Sequence, residues 1–170
     1  MSKHKLTRRD FFRGTAALGA TGFVGAWAGP AAAEAPAGGP LLVATWKHGK
    51  AASEQAAEVL LTGGSLLDAI EKGINVSELD PEVMSVGYGA YPNEEGVLQL
   101  DAAIMDGPTH RAGAVAALEK IPTPISVARR VMEKTRHTLL AGEGALRFAI
   151  AEGFEPQQLL TAKALEAWEK

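Results

Sequence analysis

The chain has 170 residues, 46% hydrophobic and 22% charged, with a formal net charge of −3, which suits one globular domain with a buried core. Cysteine is absent, so disulfides, thiolate metal sites and a cysteine nucleophile are excluded. With 17 basic against 20 acidic residues, and no Lys/Arg stripe, the chain does not read as a nucleic-acid binder.

The chain opens on a predicted leader. Thr7-Arg8-Arg9-Asp10-Phe11-Phe12 is a twin-arginine pattern, Arg8 and Arg9 being the signal pair. Gly14 to Gly29 is weakly apolar, and Ala31-Ala32-Ala33 is a small-residue cleavage site. The apolar run has 16 residues and five glycines, whereas a spanning helix needs ~20 mostly apolar residues. Cleavage after Ala33 is therefore expected, and Pro36 argues against a cut after Ala35. Such a leader implies passage through the twin-arginine translocase and a periplasmic or secreted location. Cleavage would remove five basic residues and one acidic residue, leaving 12 and 19, net −7. Residues 1–33 are thus assigned to the leader, 34–40 to a linker and 41–170 to the domain.

Leu41 to Thr45 is a continuous apolar run and is predicted as a buried strand. Lys50 to Leu61 places Ala52, Ala56, Val59 and Leu60 at helical spacing and stops at Gly63-Gly64. Ser65 is an expected N-cap for a helix through Leu79, with Asp68 completing a capping box. Asp80-Pro81 closes that helix, because the residue before proline is pushed out of the α region. Gly87 and Gly89 mark a bend where positive φ is allowed, and Pro92, Asn93 and Gly96 read as a turn. Val97–Met105 and Gly113–Leu118 are predicted strands of an antiparallel hairpin turning at Gly107-Pro108.

Thr123 and Pro124 start a helix that buries Ile125, Ala128, Val131 and Met132, with Arg129, Arg130, Glu133 and Lys134 facing water. Thr138–Ala141 is a short strand, Gly144–Ala151 a helix, and Thr161–Lys170 the start of another. That last pattern carries no C-cap glycine, so the chain is expected to stop short of its full fold. The element order predicts a layered α+β class.

Familiar site chemistry fails on spacing. Asp101 and Asp106 lie five apart on one strand and so face opposite sides, which makes a structural role for each the better reading. His4, His48, His110 and His137 include no helical i, i+4 pair, and no metal site is assigned. No G-x-S-x-G elbow occurs, and Gly87-Tyr88-Gly89 and Gly142-Glu143-Gly144 lack the third glycine of a dinucleotide loop. No cofactor is expected. Trp46, at the end of its predicted strand, is a packing residue or a pocket residue, and Thr45 beside it is a weaker contact candidate.

A stronger signal comes from ordered segments. SVGYGAYPNEEGVLQLDAAIMDG from Ser85 to Gly107 resembles the N-terminal half of the glycosylasparaginases, which are N-terminal-nucleophile amidohydrolases. So do LLVATW from Leu41, LDAIEKG from Leu67, PISVARRVMEKT from Pro124 and TLLAGEGALRFA from Thr138. The resemblance spans nearly all of Pro40 to Lys170. It implies part of an αββα sandwich, two antiparallel sheets between helices, incomplete in this chain.

The resemblance also implies the chemistry: hydrolysis of N4-(β-N-acetylglucosaminyl)-L-asparagine or of L-asparagine. A threonine freed at its amine by self-cleavage attacks the side-chain amide, and water resolves the acyl-enzyme. The cleaved pair is typically Asp-Thr or Gly-Thr. Here only Gly14-Thr15 has that form, inside the leader. Hence no catalytic residue is assigned, and the chain alone is expected to be inactive.

By the same resemblance, Trp46 and Thr45 would contact substrate. A small amide substrate, a complementary β-subunit-like segment and an (αβ)2 assembly are the implied partners. The sibling branch of isoaspartyl peptidases and plant-type asparaginases usually opens on His-Gly-Gly-Ala-Gly, where this chain has Ala44-Thr45-Trp46-Lys47-His48-Gly49. A non-catalytic export product that binds a partner is the third reading.

Overall fold

The computed structural model of the protein describes residues 39–169, and the predicted signal pair Arg8-Arg9 and the cleavage site at Ala33 lie outside them. The described elements are helix α1 (Gly49–Leu61), helix α2 (Leu66–Glu78), strand β1 (Leu100–Asp106) and strand β2 (Arg111–Leu118). Helix α3 (Pro124–Lys134), strand β3 (Leu139–Ala141), helix α4 (Gly142–Ala151) and helix α5 (Ala162–Trp168) follow. The fold is mixed α/β around a three-stranded sheet in the order β1-β2-β3.

Several local expectations hold. Ser65 caps α2 with a full capping box: its Oγ accepts the Asp68 N–H at 3.1 Å, and Asp68 accepts the Ser65 N–H at 3.2 Å. Each of these contacts satisfies a helix-end N–H that otherwise has no intrahelical partner. Strands β1 and β2 form the predicted antiparallel hairpin, pairing Ile104 with Gly113 and Asp106 with Arg111. Strand β3 then joins β2 in parallel, which requires a crossover, and α3 supplies it.

The core lies where α3 rests on the hairpin. Val115, Leu118, Ile121, Ile125, Val127 and Val131 are fully buried, and Ala145 and Ala149 of α4 join them. Gly113 permits the close approach, since a Cβ there would run into the Ala128 carbonyl of α3.

Two expectations fail. Leu41–Thr45 forms no strand, and Leu41 and Val43 are 83% and 84% exposed. An apolar run becomes a buried strand only where a neighbour takes its backbone groups, and no described strand pairs with this one. Arg129 and Glu133 do not face open water. Arg129 Nη1 meets Asp68 at 2.7 Å and Glu71 at 2.6 Å across the α2–α3 seam, and its Nε meets Glu133 at 2.7 Å. Burial works against its charge, but hydrogen bonds to Glu133, Asp68 and Glu71 outweigh that and favour the cation. Surface periodicity cannot reveal such a seam, because α2 lies some 60 residues earlier in the chain (Arg129 and Asp68 are 61 apart).

Smaller differences are at element ends. Strand β1 begins at Leu100 rather than Val97, and α4 begins at Gly142 rather than Gly144.

Candidate substrate cleft

A cleft of about 500 Å³ opens between the 44–49 turn, the end of α2, the 85–91 bend, the start of β1 and the start of α3. The turn is shaped by three backbone bonds into α1. Gly49 donates to Trp46 O at 2.9 Å, Lys50 to Lys47 O at 3.2 Å and Ala52 to His48 O at 3.3 Å. A side chain at Gly49 would collide with Ala44, so the glycine lets the turn close on itself. Trp46 is left at the mouth, 73% exposed, with Thr45 and His48 also lining the cleft.

The opposite wall is the glycine bend. Gly87 has φ +61° and Gly89 has φ +81°, the left-handed region expected for both. Tyr88 donates its N–H to Glu78 O at 2.6 Å, and a Cβ on Gly87 would strike the Glu78 backbone. The bend is therefore clamped to the last residue of α2.

Asp101 also lines the cleft, but its Oδ1 accepts the Ala117 N–H at 2.7 Å. It does so at a bulge, where pairing shifts from Leu100–Leu118 to Ala102–Val115 and Ala117 takes φ +48°. Asp106 sits away from the cleft and accepts the Thr109 hydroxyl in the hairpin turn. The two carboxylates do not converge. His110 and His137 also lie away from the cleft lining, and His4 is outside the described residues.

Five polar residues of the cleft are not singled out by sequence reasoning: Ser77, Glu78, Ser85, Tyr91 and Gln99. Glu78 is 2% exposed. Burial pushes its carboxyl up to about 7, against the hydrogen bonds it accepts from the Ile125 N–H (2.9 Å) and Asn75 Nδ2 (2.8 Å), while nearby Glu71 adds repulsion. Ser77 Oγ is buried without a hydrogen-bond partner. No local pattern marks them. Asn75-Val76-Ser77-Glu78 reads as an ordinary exposed last turn, and the partner at Ile125 is 47 residues away.

The cleft thus offers a flat apolar wall at Trp46, hydroxyls at Thr45 and Ser85, and an amide at Gln99. Among the described residues, no cleft hydroxyl is hydrogen-bonded to a histidine or a carboxylate. That arrangement can hold and orient a small polar molecule. It contains no activated nucleophile of the Ser–His kind.

The asparaginase family's sequence model matches residues 37–170. The N(4)-(β-N-acetylglucosaminyl)-L-asparaginase of Elizabethkingia miricola is 48% identical over 131 residues, 77% of this chain and 38% of that protein. The rat enzyme of the same name is 47% identical over 72% of this chain and 35% of that protein. A plant-type L-asparaginase of Pyrococcus horikoshii is 46% identical over 65% of this chain and 36% of that protein. The chain therefore spans well under half the length of these relatives. On a match that covers all of its described residues, the chain belongs to the asparaginase family of hydrolases.

Proposed function

We propose that this chain is the N-terminal, substrate-holding portion of an exported amidohydrolase acting on the side-chain amide of asparagine or its N-glycosylated form. The observation that carries the reading is the cleft itself. Three segments that resemble glycosylasparaginases, 41–46, 85–107 and 124–135, each contribute residues to its walls. Trp46 supplies an apolar face for the asparagine moiety, and Thr45 a polar contact. The nucleophile is a threonine on a complementary segment, freed by self-cleavage, whose own amine takes the hydroxyl proton. Attack on the amide carbon expels ammonia or the glycosylamine, and water then releases aspartate.

The same proposal makes residues 1–33 a twin-arginine leader, 34–40 a linker and 41–170 part of a two-sheet αββα domain that the complementary segment completes. Export would place the protein in the periplasm or outside the cell, and two such pairs would form an (αβ)2 assembly. The branch is set by substrate. The 44–49 stretch favours glycosylated asparagine, while a relative named isoaspartyl peptidase/L-asparaginase in Xenopus laevis, 42% identical over 133 residues, keeps β-aspartyl peptides as the second reading.

Two tests address this. Turnover of glycosylated asparagine should exceed that of a β-aspartyl dipeptide, and the reverse order would move the assignment to the second branch. Reading the coding sequence past the Lys170 codon should reveal an in-frame Asp-Thr or Gly-Thr in a strand-like run. A stop codon with no complementing segment encoded elsewhere would favour a non-catalytic, partner-binding protein.

A further inference from the structure

Glu78 is the one buried carboxylate in the cleft wall, and nothing in the proposed reaction uses it. Its surroundings connect three separate walls. Oε1 accepts the N–H of Ile125 at 2.9 Å, in the first turn of α3, where exposed N–H groups favour an anion. Oε2 accepts Asn75 Nδ2 at 2.8 Å within α2. Its carbonyl accepts the Tyr88 N–H at 2.6 Å and leaves no room for a side chain at Gly87. One residue therefore holds the end of α2, the start of α3 and the glycine bend together.

We propose that Glu78 is a positioning residue for the cleft, and that the ionisation state of its side chain sets how the end of α2 is joined to the start of α3. In the ionised form both oxygens accept, which matches the donors that face them. Protonation converts one oxygen into a donor. Ile125 N–H can only donate, so the proton belongs on Oε2, and the Asn75 amide must then turn its oxygen towards Glu78. That turn exchanges the two Asn75 atoms that Ser126 Oγ already faces, Nδ2 at 3.2 Å and Oδ1 at 3.4 Å, so Ser126 stays bonded to Asn75 with its donor and acceptor contacts interchanged. Neutral and ionised Glu78 thus select two hydrogen-bond arrangements along Glu78, Asn75 and Ser126.

The charged groups around it do not hold it ionised. Glu71, two turns back on α2, repels it. Arg129 on α3 is committed to Asp68, Glu71 and Glu133. His48 and Asp101 line the same cleft, and Asp101 is occupied by Ala117. Desolvation then puts the transition near neutrality, with the carboxyl pushed up to about 7.

The consequence for catalysis rests on the cleft being the substrate site, but the test does not. The Glu78 side-chain carboxyl of the full 170-residue chain is titrated by carbon-13 NMR while the backbone amides of Ile125 and Ser126 are followed. All three signals are expected to move with one midpoint near 7, and Glu78→Gln should abolish the step in the two amides. A midpoint in the ordinary carboxylate range, or amides that stay still while the carboxyl titrates, overturns the proposal. The wild-type titration decides this even where Glu78→Gln does not fold. A positive titration with no substrate bound at the cleft would instead count against the functional reading alone.

Discussion

The seam between β2 and α3 and the 41–46 run are made of the same apolar residue types, yet they end in opposite conditions. Leu118, Val127 and Val131 are fully buried, while Leu41, Val43 and Trp46 are 83%, 84% and 73% exposed. The first region has a helix to cover it and a glycine that lets the helix close in. The second has no described strand beside it. Apolar composition alone settles neither outcome. Burial follows from the partner that the rest of the fold supplies, and the exposed run is where the cleft places its tryptophan.

Changes in the packed parts of the molecule should have the largest effects. Leu118→Ala is expected to destabilise the chain by about 2–5 kcal/mol in denaturant unfolding, through lost transfer energy and a cavity. Gly87→Ala should cost about 2–4 kcal/mol, because it combines a positive φ with a collision against Glu78. Its cleft should also loosen, seen as altered amide shifts at Tyr88.

Stability should also depend on pH through Glu78. The folded carboxyl sits near 7 and the unfolded one near 4.5, so the folded state binds the proton more tightly. The contribution is complete below 4.5 and is lost as pH rises through 7, amounting to on the order of 3 kcal/mol. Glu78→Gln should flatten that slope in urea midpoints taken between pH 5 and 8. Arg129→Met leaves Asp68, Glu71 and Glu133 facing one another without their cation. A loss of about 1–3 kcal/mol is expected, largely recovered by also changing Glu71→Gln. The smallest effect belongs to the exposed run: Leu41→Ala and Trp46→Ala should change stability by less than about 0.5 kcal/mol. A large loss there would mean that the run is packed after all.

Local chemistry was legible in the chain wherever the partners are close in sequence. The Ser65–Asp68 capping box, the β1–β2 turn at Gly107-Pro108 and the Thr123-Pro124 helix start depend on residues a few positions apart, and the positive φ at Gly87 and Gly89 on the residue type itself. What the sequence hid depends on distant neighbours. Arg129 looked solvated because its carboxylates on α2 are 58 and 61 residues away. Nothing local marks Glu78, because the helix end that buries it comes 47 residues later. Leu41–Thr45 looked like a core strand because apolar character does not report whether a pairing strand is present. Trp46 and Thr45 were found as candidates through family resemblance, and their place beside Ser85 and Glu78 is visible only in three dimensions.

The central claim is that this chain holds the amide while another segment attacks it. Aspartate release from glycosylated asparagine should be measured for the 170-residue chain alone, for the chain co-produced with its complementary threonine-bearing segment, and for that pair carrying Trp46→Ala. Release is expected from the pair only, with Trp46→Ala raising KM at least tenfold while the fold survives. Turnover by the chain alone, or a pair indifferent to Trp46, would contradict it.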